Sequence, residues 1–128
     1  MSPRVTAKLF AGLTAVVVAF QLALALGAPW GALAMGGSVP GVYPPVMRII
    51  ALLQAAILAS LALVVLCRAG VVLRSWRAAS RWLAWGVVAL LAGASILNLI
   101  TPSAAERAIW APVAVALFIA SLRVALSR

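Results

Sequence analysis

Four long apolar runs, at residues 9–26, 47–66, 82–100 and 108–126, are separated by shorter stretches that hold most of the charges, glycines and prolines. A helix rises 1.5 Å per residue, so about 20 mostly apolar residues cross roughly 30 Å of hydrocarbon. Each run approaches that length. The runs are continuous where the strands of a membrane barrel would alternate, and a helix satisfies its own backbone hydrogen bonds without water. The pattern therefore predicts an all-α fold, a four-transmembrane-helix bundle that uses residues 1–128 as a single integral membrane domain. The first run has a competing reading as a cleavable signal peptide, because it follows a basic start and contains the triplet Ala23-Leu24-Ala25. Its apolar length exceeds the usual signal core of about 7–15 residues. Cleavage would leave three helices in the same orientation.

The connection between the first two helices, residues 27–46, concentrates five of the nine glycines and four of the seven prolines. Proline lacks the donor N–H and glycine favours turns, so this segment cannot prolong either helix. Trp30 and Tyr43 suit the headgroup region, where a ring can be apolar on one side and wet on the other. The segment reads either as an interfacial cap over the bundle or as a re-entrant loop lining a cavity. In the last connection, Ser103 and Glu106 have the spacing of a capping box, in which each side chain satisfies a free N–H at a helix start. Glu106 with Arg107 is the alternative, a contact to a substrate or ion. Pro112 removes one backbone bond from the last helix and predicts a bend there.

Composition reinforces the membrane reading. The chain is 67% hydrophobic and 9% charged, with a mean hydropathy of +1.24, against roughly 45–50% apolar residues in a soluble domain. The net charge is +9, from ten Lys and Arg against one acid. Arg4, Lys8, Arg68, Arg74, Arg77, Arg81, Arg123 and Arg128 fall on one side of the predicted membrane, and only Arg48 and Arg107 on the other. Lys and Arg are retained in the cytoplasm, so both termini are expected there and loop 27–46 outside. These cations flank apolar runs instead of forming a continuous basic face, which argues against nucleic acid as a partner. Arg74, Arg77 and Arg81, spaced three and four apart, would share one face if helical and could meet anionic lipid. Setting topology is their simpler role.

The inventory of reactive groups is short. There is no histidine, and Cys67 is the sole cysteine, so neither a Ser-His or Cys-His nucleophile nor an internal disulfide can form. A single carboxylate supplies neither an acid/base pair nor a divalent-metal cage. No enzyme activity, metal or cofactor is expected. Gln21, Gln54 and Asn98 are the strongly polar side chains inside the runs, all in the predicted outer half of the membrane. Together with Trp30, Arg48, Glu106 and Arg107 they could converge into an outward-facing pocket, or they could serve as hydrogen-bonded glue between helices.

Small residues permit close helix approach in lipid. The first helix carries Ala11, Ala15, Ala19, Ala23 and Gly27 at a strict spacing of four, a candidate packing ridge. Similar series are Ala51, Ala55 and Ala59; Gly86, Ala89 and Gly93; and Ala116 and Ala120. At 100° per residue, Gln21 points almost opposite the middle of the first ridge. Either that helix is central, or one of its faces mediates self-association.

The run GAPWGALAMGG followed by ERAIWAPV resembles small four-helix membrane proteins of bacteria with alanine- and arginine-rich proteomes. The resemblance spans nearly the whole chain; it implies a bacterial inner-membrane location and no particular activity. The expected function is a non-enzymatic structural or accessory component of the plasma membrane, surrounded by lipid and acting through self-association or a larger membrane partner. The alternative is a small transporter, or a module binding lipid or a small molecule in the outward-facing pocket.

Overall fold

The computed structural model describes residues 1–127, which leaves Arg128 outside the described residues. Four helices account for most of the chain: α1 Pro3–Ala25, α2 Pro45–Arg68, α3 Ser80–Ile100 and α4 Ala104–Leu126. Each is long and apolar enough to cross a membrane. Local chemistry sets their ends. α1 begins well before its apolar run because Ser2 accepts a hydrogen bond from Val5 N (3.2 Å) and Pro3 occupies the first turn, where its missing N–H costs nothing. α1 and α2 stop at left-handed Gly27 and Gly70, with the next N–H reaching back five residues, Ala28 to Ala23 O and Val71 to Leu66 O. That is the wrapped helix end for which glycine is preferred. Pro112 sits on the exposed side of α4, which runs unbroken from Ala104 to Leu126.

The helices alternate in direction. Both termini and the α2–α3 connection share one end, where Arg68 Nη2 donates to Ser127 O (3.1 Å) and Arg123 reaches Met1 O. The long α1–α2 loop and the short α3–α4 turn share the other, the loop end. α1 packs chiefly on α2 and α3 on α4, while α1 with α4 closes the ring; α2 and α3 meet less extensively.

The buried positions of α1 are Thr6, Ala7, Phe10, Thr14 and Leu24, with half-buried Val17 and Gln21 filling the same stripe at spacings of three and four. α4 shows the same periodicity in Ala114, Leu117, Ser121 and Val124. Such stripes interdigitate between nearly antiparallel helices. Near the terminal end they make a tight cluster of Ala7, Phe10, Val65, Val87, Leu91, Leu117 and Val124. The buried hydroxyls of Ser95 and Ser121 are satisfied within their own helices, on Leu91 O and Phe118 O. At the loop end Leu24 and Ala51 pack with Ala34 and Tyr43 of the loop. The outside remains apolar: Leu53 is 59% exposed and Leu97 67%. So extensive an apolar exterior matches lipid rather than water as its surroundings.

Of the two positions the sequence leaves open for the small-residue ridge of α1, the structure has it mostly outside the bundle. Ala15 and Ala19 face outward, Ala11, Ala23 and Gly27 are half-buried, and Ala59, Gly86, Ala89, Gly93 and Ala116 are exposed. Only Ala51 and Ala55 reach the interior fully. The larger side chains on the opposite face of α1, Phe10, Val17 and Leu24, fill the space between helices better, so they turn inward and the alanines turn out.

Candidate functional site

Of the four neighbouring pairs around the ring, α2 and α3 meet least extensively, and the bundle is not filled to its full height there. A cavity of about 690 Å3 opens between them, in the range of small-molecule sites. Its back wall is α1 and α4, through Val17, Phe20, Val113 and Leu117. Ile57 and Leu90 line it while remaining more than half exposed on the outer surface, so its mouth faces sideways, between the two helices. Apolar side chains dominate the walls. The polar groups gather toward the loop end, where Gln21, Gln54, Asn98, Thr101 and Glu106 all contribute.

A short segment of the α1–α2 loop roofs the cavity. Residues Gly31–Leu33 and Met35–Gly37 form two 3-10 turns, and Met35, the first residue of the second, is in the left-handed region (φ 49°). That conformation costs a non-glycine residue about 1–2 kcal/mol, so the surroundings must hold it. They do so from one face of α4. Ser103 Oγ donates to Ala32 O (2.9 Å), Gly36 N donates to Glu106 Oε2 (2.8 Å), and Trp110 Nε1 donates to Leu33 O (2.8 Å). Spacings of three and four put these three side chains in a row along the first two turns of the helix.

Glu106 is nearly buried and carries more than a capping role. Ser103 Oγ does accept from Glu106 N (3.2 Å), which is half of the expected capping box. The carboxylate does not return to Ser103 N. It takes the Thr101 hydroxyl (2.9 Å) together with Gly36 N, tying the α3–α4 turn to the roof. Nearby Tyr43 is buried with its hydroxyl unpartnered. Burial, and then the charge of Glu106, push that phenol above its usual pKa, so it stays neutral.

Of the predicted polar cluster, Gln54, Asn98 and Glu106 do share the cavity, with Gln21 as a fourth member. Trp30, Arg48 and Arg107 do not line it. Trp30 stacks on the outer side of Phe20 (6.2 Å between centroids, 6° between planes), and Phe20 in turn meets Trp110 at 4.7 Å. Arg48 Nε donates to Tyr43 O (2.8 Å), and its guanidinium rests against Gly27 at the end of α1. Arg107 Nη1 donates to Thr101 O (2.7 Å), just past the end of α3. Arg107 thus caps the carbonyl that ends α3, while Arg48 holds a loop carbonyl with its guanidinium beside the end of α1, where the helix dipole favours positive charge. Sequence spacing alone put them beside the amides; carbonyl capping takes them away.

The amides are differently placed. Asn98 uses one N–H on Ala94 O (2.8 Å). Gln21 Oε1 is buried without a partner, and the Gln54 side chain forms no hydrogen bond among the described residues. The interhelical glue expected of them is thus not made, which leaves their donors and acceptors directed to the cavity region.

At the opposite end, Arg74, Arg77 and Arg81 do not share a helical face. Leu73 is left-handed, Arg74–Trp76 is a 3-10 turn and α3 begins only at Ser80. Arg74 Nε donates to Gly70 O (3.1 Å) and Arg77 Nε to Arg68 O (3.2 Å), capping the end of α2, while Arg81 lies over the Trp82 ring. Cys67 is buried there, its thiol directed at Leu73 O. No group of three metal-binding side chains occurs among the described residues.

No protein-family model, curated protein or solved structure matches the chain. Its functional reading therefore rests on the site itself.

Proposed function

We propose that this is a multi-pass protein of the bacterial inner membrane, with both termini in the cytoplasm, that binds a membrane-dissolved molecule in the cavity between α2 and α3. The observation that carries the reading is the pair Gln21 and Gln54, whose side-chain amides are left without protein partners beside a cavity of about 690 Å3, Gln21 Oε1 fully buried. A polar group in hydrocarbon without a partner costs free energy, and a ligand that supplies one recovers it. The orientation follows from the eight-to-two division of the cations. We assign no reaction, because one carboxylate already engaged in two hydrogen bonds lacks the partner that acid/base chemistry needs.

The test is thermal unfolding of purified protein in detergent against fractionated bacterial membrane lipids. A fraction holding the ligand at a hundredfold excess over Kd adds about 2.7 kcal/mol, a rise of several degrees in Tm. Gln54→Leu and Asn98→Leu should each remove about 0.6 kcal/mol of that stabilisation, roughly a quarter of the rise, while leaving the unliganded Tm within about 2 °C. A complete screen in which no fraction moves the wild-type Tm removes the reading.

A second reading retains the accessory, self-associating role, and the outward position of Ala15 and Ala19 favours it. A smooth strip on the lipid side admits a second backbone at close range. Under this reading Ala15→Leu with Ala19→Leu reduces cross-linked oligomer in native membranes without changing the Tm of the monomer. An unchanged oligomer distribution counts against it.

A further inference from the structure

We infer, on the reading that the cavity is a ligand site, that its occupant is an electrically neutral amphiphile with a compact carbonyl- or hydroxyl-bearing head and one long apolar chain. The head lies under the roof among Gln21, Gln54 and Asn98, and the chain leaves sideways between α2 and α3. Three observations converge on this class.

The first is the charge of the lining. Glu106 is its only ionisable residue, and its Oε2 already accepts from Gly36 N and Thr101 Oγ1. Arg48 and Arg107 are turned to Tyr43 O and Thr101 O, so no guanidinium faces a phosphate or carboxylate head. An anion would meet a fixed negative charge in low dielectric with nothing to offset it. A cation would find a single carboxylate whose Oε2 already holds the roof, with no second acid anywhere in the chain to complete a site.

The second is the kind of polar group left open. Gln21 Oε1 is buried and unpartnered, the Gln54 side-chain amide is without protein hydrogen bonds, and Asn98 commits one N–H to Ala94 O. Each primary amide offers donors and an acceptor without net charge, which complements a carbonyl or hydroxyl. Bilayer hydrocarbon is as apolar as the leucine-rich walls, so moving a chain from lipid into the cavity releases little free energy. Discrimination among membrane amphiphiles therefore falls on the amides.

The third is the vertical arrangement. Gln21 lies near the end of α1, Asn98 near the end of α3 and Glu106 near the start of α4, all at the loop end. Leu58, Leu61, Leu91 and Leu117 line the deeper part, and Ile57 and Leu90 flank the mouth. A head under the roof with its chain directed down and outward matches that gradient. The volume fits one drug-sized body, which with an open side suits a single chain.

The test uses the full chain reconstituted in bilayers with three probes of identical diazirine-bearing acyl chain: a monoacylglycerol, a lysophosphatidic acid and an alkyl trimethylammonium. Adducts are mapped by peptide mass spectrometry at Leu58, Leu61 and Leu117 inside the cavity and at Val16 and Leu53 on the outer surface. The neutral probe should label the interior at least about fivefold more than either charged probe, while all three label the surface alike. Gln21→Leu and Gln54→Leu should each lower interior labelling about threefold, the scale of one hydrogen bond in a membrane protein, with Val16 and Leu53 unchanged. Gln54→Glu provides a second variant and should shift the preference toward the cationic probe. Equal or stronger interior labelling by a charged probe overturns the neutral-head assignment and leaves the cavity standing as a site. Failure of every probe to label the interior above the surface removes the cavity as a ligand site altogether.

Discussion

Replacing Glu106 by leucine should loosen the roof of the cavity without unfolding the bundle. The substitution deletes the acceptor of both Gly36 N and Thr101 Oγ1, and a buried donor left unmade costs about 1–3 kcal/mol. Ser103 and Trp110 still hold Ala32 O and Leu33 O. The loss should therefore appear as local opening of about 2–4 kcal/mol, confined to the loop end. A cysteine at Ala34, a buried roof position that lines the cavity, reports it through labelling by a membrane-impermeant maleimide in sealed cells. Labelling of Ala34→Cys should be slow, and at least about tenfold faster with Glu106→Leu, since 1.4 kcal/mol is a factor of ten. Glu106→Gln keeps one acceptor oxygen and should fall between. Equal rates for all three would mean that the carboxylate does not secure the roof. Labelling seen only after permeabilisation would instead place the loop end in the cytoplasm and reverse the proposed orientation. Cys67, buried at the far end, contributes no signal.

Gly31→Ala should be among the most damaging single substitutions in the chain, although it adds one methyl group. A Cβ at Gly31 would stand 1.9 Å from Val39 O, 2.7 Å from Gly41 O and 3.0 Å from the Tyr43 ring. Two of those neighbours are backbone, so the strand of loop opposite must move bodily, breaking the Gly31 N to Gly41 O bond (3.1 Å). Overpacking of this kind costs about 1–3 kcal/mol, and the lost buried hydrogen bond adds about 1 kcal/mol. The comparison is internal to the protein. Gly12 and Gly93 lie in helices with nothing within 4 Å of an added Cβ, so alanine there should be neutral or stabilise by up to about 1 kcal/mol. Thermal unfolding in one detergent should rank Gly31→Ala several degrees below both. If all three variants unfold together, the loop is not held closely enough to matter to the fold.

How much of this could be read from residues alone differs by feature. The helices were legible because a bilayer imposes a length and a composition, and runs such as 47–66 meet both. Helix starts were less so, since α1 takes in the polar stretch Arg4–Lys8 on the strength of Ser2 and Pro3, signals that hydropathy does not weigh. Which face of α1 turns inward stayed open in the sequence for a physical reason: an alanine ridge permits close approach but fills space poorly, and Phe10 and Leu24 fill it better. The amide cluster was partly visible, as Gln21, Gln54 and Asn98 sit at similar depth in antiparallel helices. The fate of Arg48 and Arg107 was not, because it depends on a loop carbonyl before α2 and on the carbonyl that ends α3. The roof was the hardest feature. Its only trace in the sequence is Ser103, Glu106 and Trp110 in register along one helical face, and their partners lie about 70 residues earlier.

The side-facing mouth sets what binding strength such a site would need. An amphiphile concentrated in the leaflet approaches by diffusion in two dimensions at a high local abundance and leaves by the same route, never crossing bulk water. Modest affinity then suffices for occupancy, and exchange can be rapid. Changes in the composition of the surrounding leaflet would register directly in the fraction of molecules filled.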